Sequence, residues 1–413
     1  MRESRSNSQR IQWFANRRFG FRISDLPFVL LLWLLTGQSA PAQSDFTSGS
    51  NGSGGALNVT ADTTLPLPPD GLFHFTTINV ADGATLRFER NALNTPVHLL
   101  ATGDVTIDGT IDVSGGNGTA SPPAPGLGGP GGFDGGSPGR AADGIPPGAG
   151  FGPGAGRGGN QTLTTAAGGA AYGTSPTFAS DRNGQPYGNP LLLPMFGGSG
   201  GGGFFHTTTL TRSGGGGGGG AVLIASTTRI RVGAAGTIRA LGGNSLSSNV
   251  RNNGSGGAIR LVAPEISGDG LLDVSGGVQA GSGRIRIDAV NRRNMNLKLT
   301  PSEAATLGGL MLVFPDPLPR LDIIEAAGTV IPEGAQAAVL VKLPFGSDPG
   351  RTVVIQGRDF NAVVPVQLVM TPEAGEPTIV ETQIDNRASN PATVRVNVTL
   401  PVNVPTTFNA WTK

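Results

Sequence analysis

The sequence predicts an all-β chain in which coils of short strands stack on one another, a glycine-rich insertion interrupts the stack, and a β-sandwich follows. Three observations predict it. Among 413 residues there are 68 glycines and 32 prolines while only 14% are charged, a composition unlike that of a helical protein. Short apolar and polar residues alternate with period two between Gly-Gly, Asp-Gly and Gly-Asp turns, which is strand chemistry. The alternating segments also fall into phrases that recur at about 34 to 37 residues.

Residues 1–42 read as an export signal. Arg2, Arg5, Arg10, Arg17, Arg18 and Arg22 precede the apolar run Phe28 to Leu35, and small residues at Ala40 and Ala42 suit cleavage near Ala42. The run is too short to span a bilayer, so the expected mature chain has no membrane span and is secreted, periplasmic or held at the cell surface. The 29 basic and 28 acidic residues are scattered, leaving no cationic stripe for phosphates and excluding nucleic acid as a partner. With no cysteine, the exported chain has neither a disulfide framework nor a lipid-acceptor residue.

The stack is expected over residues 43–115 and again over 221–318. "GGAVLIASTTRIRVGAAGTIRALGG" aligns with "GGAIRLVAPEISGDGLLDVSGG", placing Val222, Leu223 and Ile224 opposite Ile259, Arg260 and Leu261. "GSGRIRIDAV" begins a further copy, and "PVHLLATGDVTIDGTIDVSGG" supplies an earlier one. Within "DVTIDGTIDV", Val105, Ile107, Ile111 and Val113 point inward while Asp104, Thr106, Asp108 and Asp112 point outward. One such coil buries too little to stand alone. Stacking coils along a shared axis supplies the missing core, which makes the unit a rung of a parallel β-helix.

Residues 116–220 are dominated by Gly, Pro, Ser and Ala and include the unbroken run Gly214 to Gly220. Lacking apolar side chains, the tract is expected to be a flexible insertion. Its sharper alternative is a bundle of polyproline-type helices, which only glycine allows to pack backbone to backbone. Residues 319–413 follow the proline-punctuated "FPDPLPR". There "QAAVLVKL", "RTVVIQGRDF", "PVQLVMT", "TIVETQI", "TVRVNVTLPV" and "TTFNAW" read as strands of an immunoglobulin-like sandwich, expected either to cap the last coil or to sit on a hinge as a module.

The phrases "GATLRF", "GDVTIDGTIDVSGG", "GSGGAIRLVAPEISGDGLLDVSGG" and "GSGRIRIDA" resemble glycine-rich secreted β-helix proteins of Gram-negative bacteria, akin to autotransporter passengers and filamentous adhesins. The resemblance covers about Gly71 to Ala289. It implies a right-handed parallel β-helix with a structural or adhesive role, and cell-surface glycans or other envelope proteins as partners. The chain departs from autotransporters in having no C-terminal segment patterned as a translocating barrel.

Candidate chemistry is sparse. "GGSGG" places Ser199 in a G-x-S-x-G match with His206 nearby, but the motif works only between a strand and a helix, and here its flanks are glycine. Three histidines in unrelated contexts do not suggest a metal site. Outward carboxylates are better candidates: Asp104, Asp108 and Asp112, with Asp269, Asp273 and Asp288 on later rungs, would form one ridge in the right register. Such a ridge suits a polysaccharide-binding or polysaccharide-degrading β-helix, with calcium as the one ion it could take. Against it, the mature chain keeps only Trp411, Tyr172 and Tyr187 as large amphipathic rings for a sugar platform. The favoured expectation is therefore a non-catalytic structural or adhesion-type protein without a cofactor.

Overall fold

The alternating phrases become short strands that the chain lays down three to a coil. The computed structural model describes residues 46–140, 144–159, 167–206, 210–246, 251–335 and 337–412; the export signal and its cleavage site near Ala42 lie outside them. In chain order the first coils contain β1 (Ala56–Val59), β2 (Thr63–Pro66), β3 (Leu72–Phe75), β4 (Thr77–Val80), β5 (Thr85–Glu89), β6 (Val97–Ala101), β7 (Val105–Ile107) and β8 (Thr110–Asp112). The glycine tract carries two small antiparallel pairs, β9 (Thr119–Ala120) with β10 (Pro123–Ala124) and β11 (Phe204–Phe205) with β12 (Arg212–Ser213). The stack resumes with β13 (Ala221–Ser226), β14 (Arg229–Val232), β15 (Thr237–Arg239), β16 (Ala258–Gly268), β17 (Leu271–Asp273), β18 (Arg284–Asn291), β19 (Lys298–Thr300) and β20 (Ala305–Gly308). Helix among the described residues is a single 3-10 turn, Ser302–Ala304.

The coils register as three parallel ladders. One runs β3, β6, β13, β16, β18, β20; a second runs β1, β4, β7, β14, β16; a third runs β2, β5, β8, β15, β17, β19. Long β16 turns from the first ladder into the second, joining them as one nearly closed sheet. Parallel in-register pairing stacks like on like. Val97, Val222, Ile259 and Ile285 form one inward column, Val105, Ile230 and Ile266 another, and Leu86, Ile111, Ile238 and Leu272 a third. All belong to one buried cluster, whose apolar area removed from water holds the coils together. The repeat alignment is realised residue for residue, Val222 on Ile259 and Leu223 on Arg260.

Insertion of the tract between β8 and β13 leaves this register intact, since Val222 sits directly on Val97. The "DVSGG" phrase shows how the chain exits. Asp112 and Asp273 end their strands by accepting the Ser114 and Ser275 N–H groups at 3.0 and 2.9 Å, Val113 and Val274 turn inward, and the following Gly-Gly leaves the coil.

Beyond the stack are β21 (Arg320–Ala326), β22 (Thr329–Val330), β23 (Gly350–Arg358), β24 (Val363–Pro372), β25 (Thr378–Asp385), β26 (Ala392–Thr399) and β27 (Thr406–Thr412). They form two antiparallel sheets, ordered β22-β21-β23-β26 and β25-β24-β27, around Val353, Ile355, Val366, Leu368, Met370 and Ile384. One expected strand is corrected. The described part of "QAAVLVKL", Ala337 to Leu343, pairs with no strand among the described residues, and "RLDIIEA" takes its place as β21, because β23 offers it a ladder that carries Leu321 and Ile323 to the core.

Candidate functional site

The described residues of the glycine tract are held by backbone hydrogen bonds, as the polyproline-type alternative requires and a flexible insertion does not. Along its central run, Gly214, Gly217 and Gly220 donate to the carbonyls of Thr119, Gly116 and Val113. Gly215 and Gly218 donate to Gly136 and Phe133, and Gly216 and Gly219 donate to Asn252 and Ser255. The partner segment changes at every residue and returns at every third, the period of a polyproline II helix. Carbonyls of the same run accept from Gly126 and Gly129 on one flank and from Gly198 and Gly201 on another, while Gly217 accepts from Gly243. The run is thus enclosed on all sides by other backbone. A Cβ placed anywhere on Gly214 to Gly220 would lie 2.0 to 2.5 Å from a neighbouring carbonyl oxygen, so no other residue fits. Ordering here comes from hydrogen bonds between segments rather than from buried side chains. The bundle also recruits Gly243 and Asn252 to Ser255 from between later coils, all leaving the stack at the corner between its third and first ladders.

The expected aspartates do not form one ridge. Asp112 and Asp273 share a column with Arg239 between them; Asp108 and Asp269 lie at a common corner; Asp104 precedes β7. Asp104, Asp108 and Asp112 each meet an arginine on the next coil. Asp104 pairs with Arg229 at 2.7 Å, Asp108 with Arg231 at 2.9 Å, and Asp112 with Arg239 at 2.8 Å and Arg87 at 3.7 Å. Burial would raise the Asp112 carboxyl, but hydrogen bonds from Arg239 and Ser114 outweigh it and hold the group below the usual carboxylate range. Asp269 accepts from Asn296 at 3.1 Å, and Asp273 accepts from the Ser275 hydroxyl at 2.6 Å. Among the described residues no three His, Asp or Glu side chains gather closely enough to hold a metal ion.

Asp288 points outward from its coil but is not exposed. The strap of residues 309–314 crosses the first ladder and covers it with Met311, Val313 and Phe314 against Leu100, Leu223 and Val262. Beneath the strap, Asp288 pairs with Arg286 at 2.6 Å and Arg260 at 3.6 Å and accepts the Leu310 N–H at 2.9 Å. Arg260, wholly buried, donates to the Leu312 and Val313 carbonyls. Nearby, His98 meets Phe314 edge-on at 5.2 Å. Burial first, and the Arg260 cation as well, push its imidazole down to about 4 despite Gly71 and Asp70. Sequence reasoning missed this network because the strap has no periodic signal; the one clue was arginine on two adjacent coils at an otherwise apolar column position.

Ser199 is fully buried in the bundle. Its hydroxyl donates to the Tyr187 hydroxyl at 3.1 Å and accepts the Gly154 N–H at 3.0 Å, while its own N–H donates to Ser255 at 2.8 Å. His206 packs near Phe204, its ring 6.4 Å away, at the end of β11. The large rings are committed internally. Tyr172 and Tyr187 pack at a tilt with ring centres 4.6 Å apart, burial raising both phenols, and Trp411 meets Phe133 edge-on at 6.0 Å. No described helix is long and apolar enough to cross a membrane. No protein-family model, no curated protein and no solved structure matches the chain.

Proposed function

We propose that the chain is an exported, non-catalytic scaffold of the cell envelope or extracellular space: a right-handed parallel β-helix, stiffened by a polyproline-type glycine bundle and finished by an immunoglobulin-like sandwich. Its role is structural or adhesive, and its partners are cell-surface glycans or other envelope proteins. One observation carries the reading. The outward carboxylates best suited to a ligand are turned instead onto arginines of the adjoining coil, where they tie rung to rung. Burial of Tyr172 and Trp411, rings that would otherwise serve a sugar platform, supports it further.

The test is direct. The protein is incubated with a panel of acidic and neutral polysaccharides, with and without calcium, and chain length is followed. The scaffold reading expects no shortening, and labelled protein at the cell surface or in the medium. Depolymerisation abolished by Asp108→Ala or Asp273→Ala would replace it with a polysaccharide-degrading β-helix.

A further inference from the structure

The stack of coils ends as it begins, on strand edges that no described strand continues. In the first coil, residues 56–75, β1, β2 and β3 each pair only with the coil that follows; in the last, residues 292–308, β19 and β20 pair only with the coil before. No strand of the sandwich pairs with either end; its Trp411 and Glu376 lie against Phe133 and Arg182 of the bundle. The apolar columns also run out in the open. Leu307, 51% exposed, closes the inward column of Phe73, Leu99, Ile224, Leu261 and Ile287, and at the other end Leu57, Leu65 and Phe73 are only partly buried. A solenoid that works singly covers such ends with a polar cap.

The two ends fit each other. β2 and β19 terminate one ladder, and its register carried one coil further sets Lys298, Leu299 and Thr300 of one copy beside Asp62, Thr63 and Thr64 of the next. Lys298 is exposed and forms no ion pair among the described residues. Asp62 accepts the Thr85 N–H at 2.9 Å and meets Arg87 at 3.4 Å, yet its side chain stays 63% exposed. Asp112 demonstrates that a carboxylate on this ladder takes a cation from each side, Arg87 at 3.7 Å and Arg239 at 2.8 Å. In the first ladder, Gly54 donates to His74 and Thr76 donates to Gly55, which covers the far end of β3 and leaves Leu72 and Phe73 open. The strap departs from the last coil after Gly308, so the same register brings Thr306 and Leu307 onto Leu72 and Phe73. Charge agrees: residues 56–75 hold Asp62 and Asp70 and no lysine or arginine, whereas residues 292–308 hold Arg292, Arg293 and Lys298 against Glu303.

We infer that the last coil of one copy of this chain docks on the first coil of a second copy, head to tail along the axis of the stack. The contact is heterologous and, repeated along that axis, builds an open filament. This rests on the scaffold reading and names its partner, and its failure would leave the outcome of the polysaccharide test unchanged.

Because the chain has no cysteine, single thiols report the contact cleanly. Full chains carrying Thr64→Cys and Thr300→Cys are mixed and mildly oxidised; a disulfide-linked heterodimer, formed in clear excess over either homodimer, is expected. In sedimentation velocity the unmodified chain gains mass as concentration rises to about 100 μM, and Lys298→Glu and Leu307→Asp each weaken association at least about tenfold. Lys298 is exposed, so the thermal midpoint of its variant stays where it was. A chain that remains monomeric throughout, homodimers as abundant as the heterodimer, or association that both substitutions leave unaltered would each overturn the inference.

Discussion

A single methyl group probes the centre of the glycine bundle. Gly218→Ala sets a Cβ 2.0 Å from the Gly198 carbonyl oxygen, whereas at Gly309 a Cβ meets nothing within 4 Å. Gly218→Ala is therefore expected to destabilise the chain by about 3 kcal/mol or more, and Gly309→Ala to leave it nearly unchanged, as read by chemical denaturation. His98 makes a second residue-scale prediction. Its folded value of about 4 lies below the ordinary 6.5, so the unfolded chain takes up the proton first as pH falls. The resulting stability is complete above pH 6.5, declines as pH falls toward 4, and is then flat, a loss of roughly 3 kcal/mol. His98→Leu, which continues the column of Leu72 and Leu223, should remove that part of the pH dependence when denaturation midpoints are compared at pH 7 and pH 4.

At the level of strands, the third ladder carries a column that reads Thr64, Arg87, Asp112, Arg239, Asp273, Thr300 from coil to coil. Opposite charges alternate at its centre, so each coil specifies the register of the next as well as holding it. Removing the cation by Arg239→Met is expected to cost about 1 kcal/mol, and Arg239→Glu about twice that because three carboxylates then line up. Added salt should narrow the gap between the two variants in thermal melts. Most of this layer was legible in the sequence. The inward set Val105, Ile107, Ile111 and Val113, and the match of Val222 to Ile259, follow from alternation and repetition, and the same alignment already places Arg239 between Asp112 and Asp273. Less legible was the sandwich edge: "QAAVLVKL" has better strand composition than "RLDIIEA", but a strand exists only where a neighbour completes its hydrogen bonds, and composition does not reveal neighbours.

Taken whole, the molecule joins its parts by contacts that no local pattern announces. The sandwich touches the bundle through Trp411 on Phe133, through Glu376 with Arg182 and Arg157, and through the bridge from Gly375 to Gly148. Trp411→Ala combined with Glu376→Gln should release it, raising the radius of gyration in X-ray scattering and speeding tryptic cleavage at Arg320, where β21 begins just beyond the connecting segment. The bundle could be read from the sequence only as an alternative to a flexible insertion, for a related reason. Its order resides in hydrogen bonds among segments as far apart as Val113, Gly198 and Ser255, and glycine, having no side chain, leaves no apolar trace of them.

One consequence follows for how the chain comes to be. During synthesis the edge of Val97–Ala101 waits, bare, while residues 113–220 are made, because the strand that covers it is Ala221–Ser226. A ribosome adding about 5 to 20 residues per second leaves that edge uncovered for several seconds, long enough for wrong pairings. The half-made stack is thus the vulnerable species, and a holding factor that keeps it open until the later coils emerge would raise the yield of native protein without altering its final stability.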